Sequence, residues 1–181
     1  MVHRSFWRNR ATTISADSVP HVADARFVLS DAGHLLAFGF GAGLSRRAPG
    51  TVGTLVAFPF FWLLHPRLSD AEFVVALVLM FALGVWVCDR AGRALGVADH
   101  GGMVWDEIVA FLVVLFLVPP GALWQISGFL LFRAFDILKP GPIRYFDRTL
   151  EGGFGVMFDD LVAAFFTLLV LAVWKTVVLP T

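Results

Sequence analysis

The chain has 181 residues, of which 58% are hydrophobic and only 15% charged, with a mean hydropathy of +0.79. This is too apolar for an ordinary soluble domain and predicts one compact membrane domain. Lysine plus arginine equals aspartate plus glutamate at 14 each, so the net charge is zero and there is no basic field to attract nucleic acid.

Residues 1–34 mix Arg4, Arg8, Arg10, Asp17, Asp24 and Arg26 with polar residues. They lack the apolar core of a cleavable signal and read as a flexible cytoplasmic N-terminal arm. Residues 35–181 read as a single membrane-embedded domain. Its first piece, "LLAFGFGAGL" (35–44), is apolar but too short to cross, which suits a re-entrant or interfacial segment. Five apolar runs follow, at roughly 51–64, 71–88, 103–118, 121–138 and 157–179, separated by short stretches rich in Pro, Gly or charge. The fold class expected is all-α, a polytopic membrane bundle of about four to five embedded helices. The first run would rise roughly 21 Å as a helix, against a hydrocarbon core near 30 Å, so it must be extended, tilted or partly embedded among neighbours. Cys88 has no second cysteine and lies within an apolar run, where it reads as a packing residue.

Basic residues set the orientation. With the N-terminus inside, the cytoplasmic side receives Arg46, Arg47, Arg90, Arg93, Lys139, Arg144 and Arg148, and the outside little beyond Arg67 and Lys175. Runs one, three and five then enter, and runs two and four leave, at the cytoplasmic face.

That topology gives meaning to a weak internal echo. "GGMVWDEIVAF" (101–111) resembles "GGFGVMFDDLVAAF" (152–165), and both helices would begin at the same face. Asp106, Glu107, Asp159 and Asp160 then lie at similar depth and repel one another unless a cation or positive side chain stands between them. An acid in a first helical turn is commonly a cap or a complement to the helix dipole. That accounts for one acid per helix but not two, because adjacent residues point about 100° apart and the second turns toward the bundle interior. Ionisable residues within spans are costly and usually mark a substrate or ion path.

Run four ends with Arg133, Asp136 and Lys139 at steps of three. Cations suit a helix C-terminus and can meet lipid phosphate. Asp136 is disfavoured there, and a salt bridge to Arg133 and metal ligation account for it equally well. "SRRAPGTVGTL" (45–55) opens run one with Pro49, Gly50, Gly53 and the hydroxyls of Thr51 and Thr54, an N-terminus able to hold an anion. No Gly-Lys-Ser/Thr follows, so it is not a Walker loop. Asp99 and His100 read as a solvated loop pair. One rim thus collects carboxylates, guanidinium groups and helix N-termini. Its oxygen ligands suit Mg²⁺ better than zinc, and such a site fits phosphate chemistry on a lipid headgroup.

At these residues the chain resembles the phosphatidylglycerophosphatase A family of bacterial inner-membrane lipid phosphatases. The blocks "GFGAGLSRRAPGTVGTL", "DHGGMVWDEIVAF", "FRAFDILKPGPIRYFD" and "GGFGVMFDDLVAA" occur in order between about residues 35 and 165. The resemblance implies a small all-helical, multi-pass membrane protein with its active site toward the cytoplasm. It implies Mg²⁺-dependent hydrolysis of phosphatidylglycerophosphate to phosphatidylglycerol and phosphate, a step of phospholipid biosynthesis. Asp106, Glu107, Asp136, Asp159 and Asp160 match the family's acidic positions, and Thr51, Thr54, Arg133 and Lys139 its hydroxyl and basic ones. In this reading Asp106, Glu107, Asp159 and Asp160 hold the metal, while Arg133, Lys139 and the threonines bind phosphate. Both a metal-activated water and a carboxylate nucleophile are compatible with the residues.

Two rivals come from other classes. A CDP-alcohol phosphatidyltransferase also sets carboxylates at the cytoplasmic face, yet its dense acidic motif is imitated only superficially by "DRAGRALGVADH". A proton or ion transporter would place acids near the bilayer midplane, whereas these gather at one rim.

Overall fold

The computed structural model describes residues 23–178, and all regular secondary structure among them is helical. Two short helices, α1 (Ala25–Leu29) and α2 (Ala32–Ala37), lead into a 3-10 segment, Gly39–Leu44. The main helices are α3 (Pro49–Leu64), α4 (Asp70–Leu95), α5 (Trp105–Leu117), α6 (Ala122–Leu138) and α8 (Gly152–Val178), with α7 (Gly141–Thr149) between the last two. The five predicted apolar runs correspond to α3, α4, α5, α6 and α8. Among the described residues two of these, α4 and α8, are long and apolar enough to cross a membrane.

Local sequence explains where several helices begin and end. Pro49 opens α3, where its missing N–H costs nothing. Ser69 and Glu72 form a reciprocal capping box at the start of α4, and Gly96 ends it in the left-handed conformation. The α7 helix was not expected from the sequence; it fills what reads as a linker, "GPIRYFDRT". Its sign was the Gly-Pro start ahead of Ile143 and Phe146, apolar residues three apart with charged residues around them.

The centre of the molecule is α5. It has 13 residues, about 20 Å of helix, and ten of them are buried. It packs against α3, α4, α6 and α8, so neighbours rather than solvent or lipid satisfy its surface. Phe111 and Leu112 are fully buried, with Phe111 contacting the rings of Phe58, Phe129 and Phe132. Beyond α5 the chain turns through Val118, Pro119, Pro120 and Gly121 into α6. Apolar side chains of α4, α6 and α8, among them Val78, Leu79, Trp86, Ile126, Leu130, Phe165, Leu169 and Trp174, face outward. Cys88 is fully buried, consistent with a packing role.

Residues 1–22 of the predicted arm lie outside the described residues. The part from 24 to 34 is folded onto the helices. Asp24 caps α1 through a 2.8 Å bond from the Phe27 amide, and Phe27 and Val28 are buried. Asp31 caps α2 and pairs with Arg90 of α4 at 2.7 Å. The Arg90 guanidinium and the Gly33 amide hold the Asp31 carboxyl below its usual range. Two acids that look like scattered charge in the sequence are therefore helix starters. The predicted re-entrant piece, 35–44, divides: α2 ends at Ala37, and Phe40 and Gly41 take positive φ within the following turn.

Helices α4 and α8 cross at glycines. A Cβ at Gly153 would lie 1.9 Å from the Val85 carbonyl oxygen and 2.8 Å from the Asp89 nitrogen. Backbone cannot yield as a flexible side chain does, so Gly153→Ala must push the two helices apart. It should cost about 1–3 kcal/mol of stability, measured as a fall in the thermal unfolding midpoint in detergent. Gly101→Ala, at a site with nothing within 4 Å, should leave the midpoint unchanged.

Candidate active site

The starts of α3, α5 and α8 and the end of α6 come together, linked by Arg133 to Thr54 and Glu107 and by Lys139 to Asp159. Asp106 and Glu107 stand in the first turn of α5, and Asp159 and Asp160 in the third turn of α8. Arg133, Asp136 and Lys139 come from the last turns and cap of α6, and Thr51 and Thr54 from the start of α3. Trp105 fixes the head of α5 by donating its indole N–H to the Met80 carbonyl of α4 at 3.1 Å.

Asp106, Glu107 and Asp160 form the inner group. One carboxylate oxygen from each lies within 4.8 Å of the others, and all three residues are buried. Asp106 Oδ1, Glu107 Oε2 and Asp160 Oδ2 are each buried without a hydrogen-bond partner. Unpaired buried carboxylate oxygens cost several kcal/mol each unless something positive meets them. Three converging carboxylates, with no nitrogen or sulfur donor among them, fit a hard divalent cation.

Asp159 belongs elsewhere. It is buried and accepts from Lys139 Nζ at 2.6 Å. Neighbouring acids on one helix thus separate as the 100° step requires: Asp160 joins the inner group, and Asp159 turns to α6. Lys139 itself is the left-handed cap of α6 (φ 40), which ends the helix and lets its side chain reach α8.

Arg133 ties three elements together. Its Nη1 lies 2.7 Å from Asp136 Oδ2, 3.4 Å from Glu107 Oε1 and 3.3 Å from Thr54 Oγ1. Its Nε is buried with no partner. Asp136 also lies within hydrogen-bond reach of Asp160, so it bridges the guanidinium and the inner group. Gly50 makes this approach sterically feasible: a Cβ there would stand 2.0 Å from Glu107 Oε1 and 2.9 Å from Arg133 Nη2. Thr51 is half-buried in the first turn of α3.

Asp99 is exposed in the loop before α5, yet close enough to Asp106 to act on it electrostatically. His100 is half-buried, accepts the Gly102 amide at its Nδ1 (3.0 Å) and contacts the Phe38 ring. Asp99 is thus solvated as its sequence suggests, while His100 is less so.

Comparison with known proteins shows the family of the chain. The family model described as Phosphatidylglycerophosphatase A matches residues 35–175. The chain belongs to the phosphatidylglycerophosphatase A family. It is 43% identical over 143 residues to the phosphatidylglycerophosphatase A of Escherichia coli K12, covering 78% of this chain and 83% of that one. Against the Haemophilus influenzae phosphatidylglycerophosphatase A it is 46% identical over 138 residues, 76% and 85% of the two chains. A Bacteroides thetaiotaomicron protein named as a candidate phosphatidylinositol-3-phosphatase is 36% identical over 152 residues, 80% and 94% of the two. No solved structure matches the chain. Membership in the phosphatidylglycerophosphatase A family makes the protein a phosphatase, and the matched span contains every residue of the site described above.

Proposed function

We propose that this phosphatase hydrolyses phosphatidylglycerophosphate to phosphatidylglycerol and phosphate, with Mg²⁺, at the cytoplasmic face of a bacterial inner membrane. Five helices, α3 to α6 and α8, would then be embedded, with α7 lying at the interface. The observation that carries the reading is the pairing of two opposite sets of unsatisfied groups. Asp106, Glu107 and Asp160 each bring one oxygen into a group within 4.8 Å and each carry a buried oxygen without a partner, and Arg133, bonded to Glu107, carries a buried Nε–H without one. A cation and an anion are what such a site lacks. The names of the relatives supply the substrate class.

Asp106, Glu107 and Asp160 would hold the metal, which when bound neutralises phosphate charge and lowers the pKa of a coordinated water. Arg133 is anchored by Asp136, Glu107 and Thr54, so it can direct Nε toward a phosphate oxygen without losing its position. Lys139 supplies a second positive charge by sharing its ammonium between Asp159 and the substrate. Hydrolysis forms one P–O bond from water, breaks the P–O bond to glycerol, and returns a proton to the leaving alkoxide. A buried carboxyl of the inner group is well placed to hold that proton.

The test is phosphate release by purified protein in detergent from phosphatidylglycerophosphate, with Mg²⁺ or with a chelator. Release that depends on Mg²⁺ is expected; no release, or release indifferent to chelation, would overturn the reading. Faster release from phosphatidylinositol 3-phosphate would shift the substrate toward that named for the Bacteroides relative.

A further inference from the structure

We propose that Thr54 is a positioning residue for Arg133 rather than a ligand of phosphate. The inference rests on Arg133 being the phosphate clamp. Thr54 is completely buried, on the face of α3 that looks into the site. Its hydroxyl has one proton, and that proton is given to the Gly50 carbonyl at 2.8 Å. What it offers the site is a lone pair, which accepts from Arg133 Nη1 at 3.3 Å. A hydroxyl polarised in this way cannot donate to a phosphate oxygen.

The same bond gives the guanidinium an anchor that carries no charge. Asp136 and Glu107 also hold Nη1, but both are anions whose hold on Arg133 competes with a phosphate. Thr54 holds it without that competition. Gly50 serves both ends of the device. Its carbonyl sets the direction of the hydroxyl, and its lack of a side chain leaves room for Glu107 and Arg133. Arg133 enters from α6, so the bond also couples the start of α3 to the end of α6.

Two substitutions separate positioning from packing. Thr54→Val keeps the branched shape and removes the hydroxyl, whereas Thr54→Ser keeps the hydroxyl and removes a methyl. If Thr54 positions Arg133, T54V should lower kcat/KM for phosphate release by about 10- to 100-fold. T54S should stay within about threefold of wild type, since the buried bond is retained. In an Arg133→Gln background T54V should cost less than about twofold, because its partner is already gone. A packing role predicts the reverse order, with T54V the better enzyme and the same cost in both backgrounds. Either result would overturn the inference.

The same cycle read by thermal unfolding does not depend on the substrate. T54V should lower the midpoint in the wild-type background and not in R133Q; equal shifts would also overturn it. Wild-type protein inactive on phosphatidylglycerophosphate would instead count against the proposed function, leaving the unfolding cycle to decide the role of Thr54.

Discussion

Replacing Asp160 with asparagine is expected to abolish most activity while making the metal-free protein more stable. Asp160 is one of three buried, converging carboxylates, each with one buried oxygen that has no partner. In the metal-free state each ionised member raises the energy of the others, so removing one charge relieves repulsion and desolvation together. The asparagine amide can also donate to Asp136, which lies within hydrogen-bond reach of position 160. A gain of about 1–3 kcal/mol is expected, or several degrees in the unfolding midpoint for a chain of this size, at about 2–4 °C per kcal/mol. Phosphate release should fall by about 10²–10³-fold. Wild type should gain thermal stability with added Mg²⁺, following its occupancy, and Asp160→Asn should gain little. A variant that is less stable without metal but responds normally to Mg²⁺ would mean that Asp160 is a structural acid.

Lys139→Met should be the most destabilising of the site substitutions. Lys139 is the 2.6 Å partner of Asp159, whose side chain is only 8% exposed. Removing the cation takes its ammonium partner from a buried carboxylate, which costs about 3–5 kcal/mol. The expected fall in midpoint is roughly 10 °C. Adding Asp159→Asn to Lys139→Met removes the carboxylate charge that the lysine balanced and should restore most of the lost stability. It should not restore activity if Lys139 also binds phosphate as proposed, because that ammonium is still missing. A double variant that recovers both would reduce Lys139 to a counter-ion for Asp159.

Much of this site was legible in the sequence because charge is so rare in the chain. Acids at the starts of two apolar runs, and Arg133 through Lys139 at the end of another, fix which helix ends must meet. The helix pairings then follow from alternating direction. The division of labour between Asp159 and Asp160 was not legible. It depends on the rotation of α8 about its axis, which is set by the contact of Gly153 with Val85 and of Gly84 with Met157. The bond from Arg133 to Thr54 was hidden for a similar reason, since sequence spacing cannot give the direction of a hydroxyl proton. The folded hairpin of α1 and α2 was obscured by its charges, two of which are caps rather than surface decoration.

In the proposed membrane arrangement, the shortness of α5 bears on the side away from the site. A helix of 13 residues, starting at one face, ends well inside a hydrocarbon layer about 30 Å thick. The connection to α6 must then reverse direction where water is scarce, and irregular backbone is costly there because each amide N–H needs a partner. Pro119 and Pro120 have no N–H to satisfy. The Val118 amide is bonded back to the Val114 carbonyl at 3.0 Å, and the Gly121 carbonyl accepts the Gln125 amide at 3.2 Å. These features reduce, without removing, the open backbone groups at such a depth, and a bilayer that thins around the turn would bring water to the N–H groups of the uncapped start of α6.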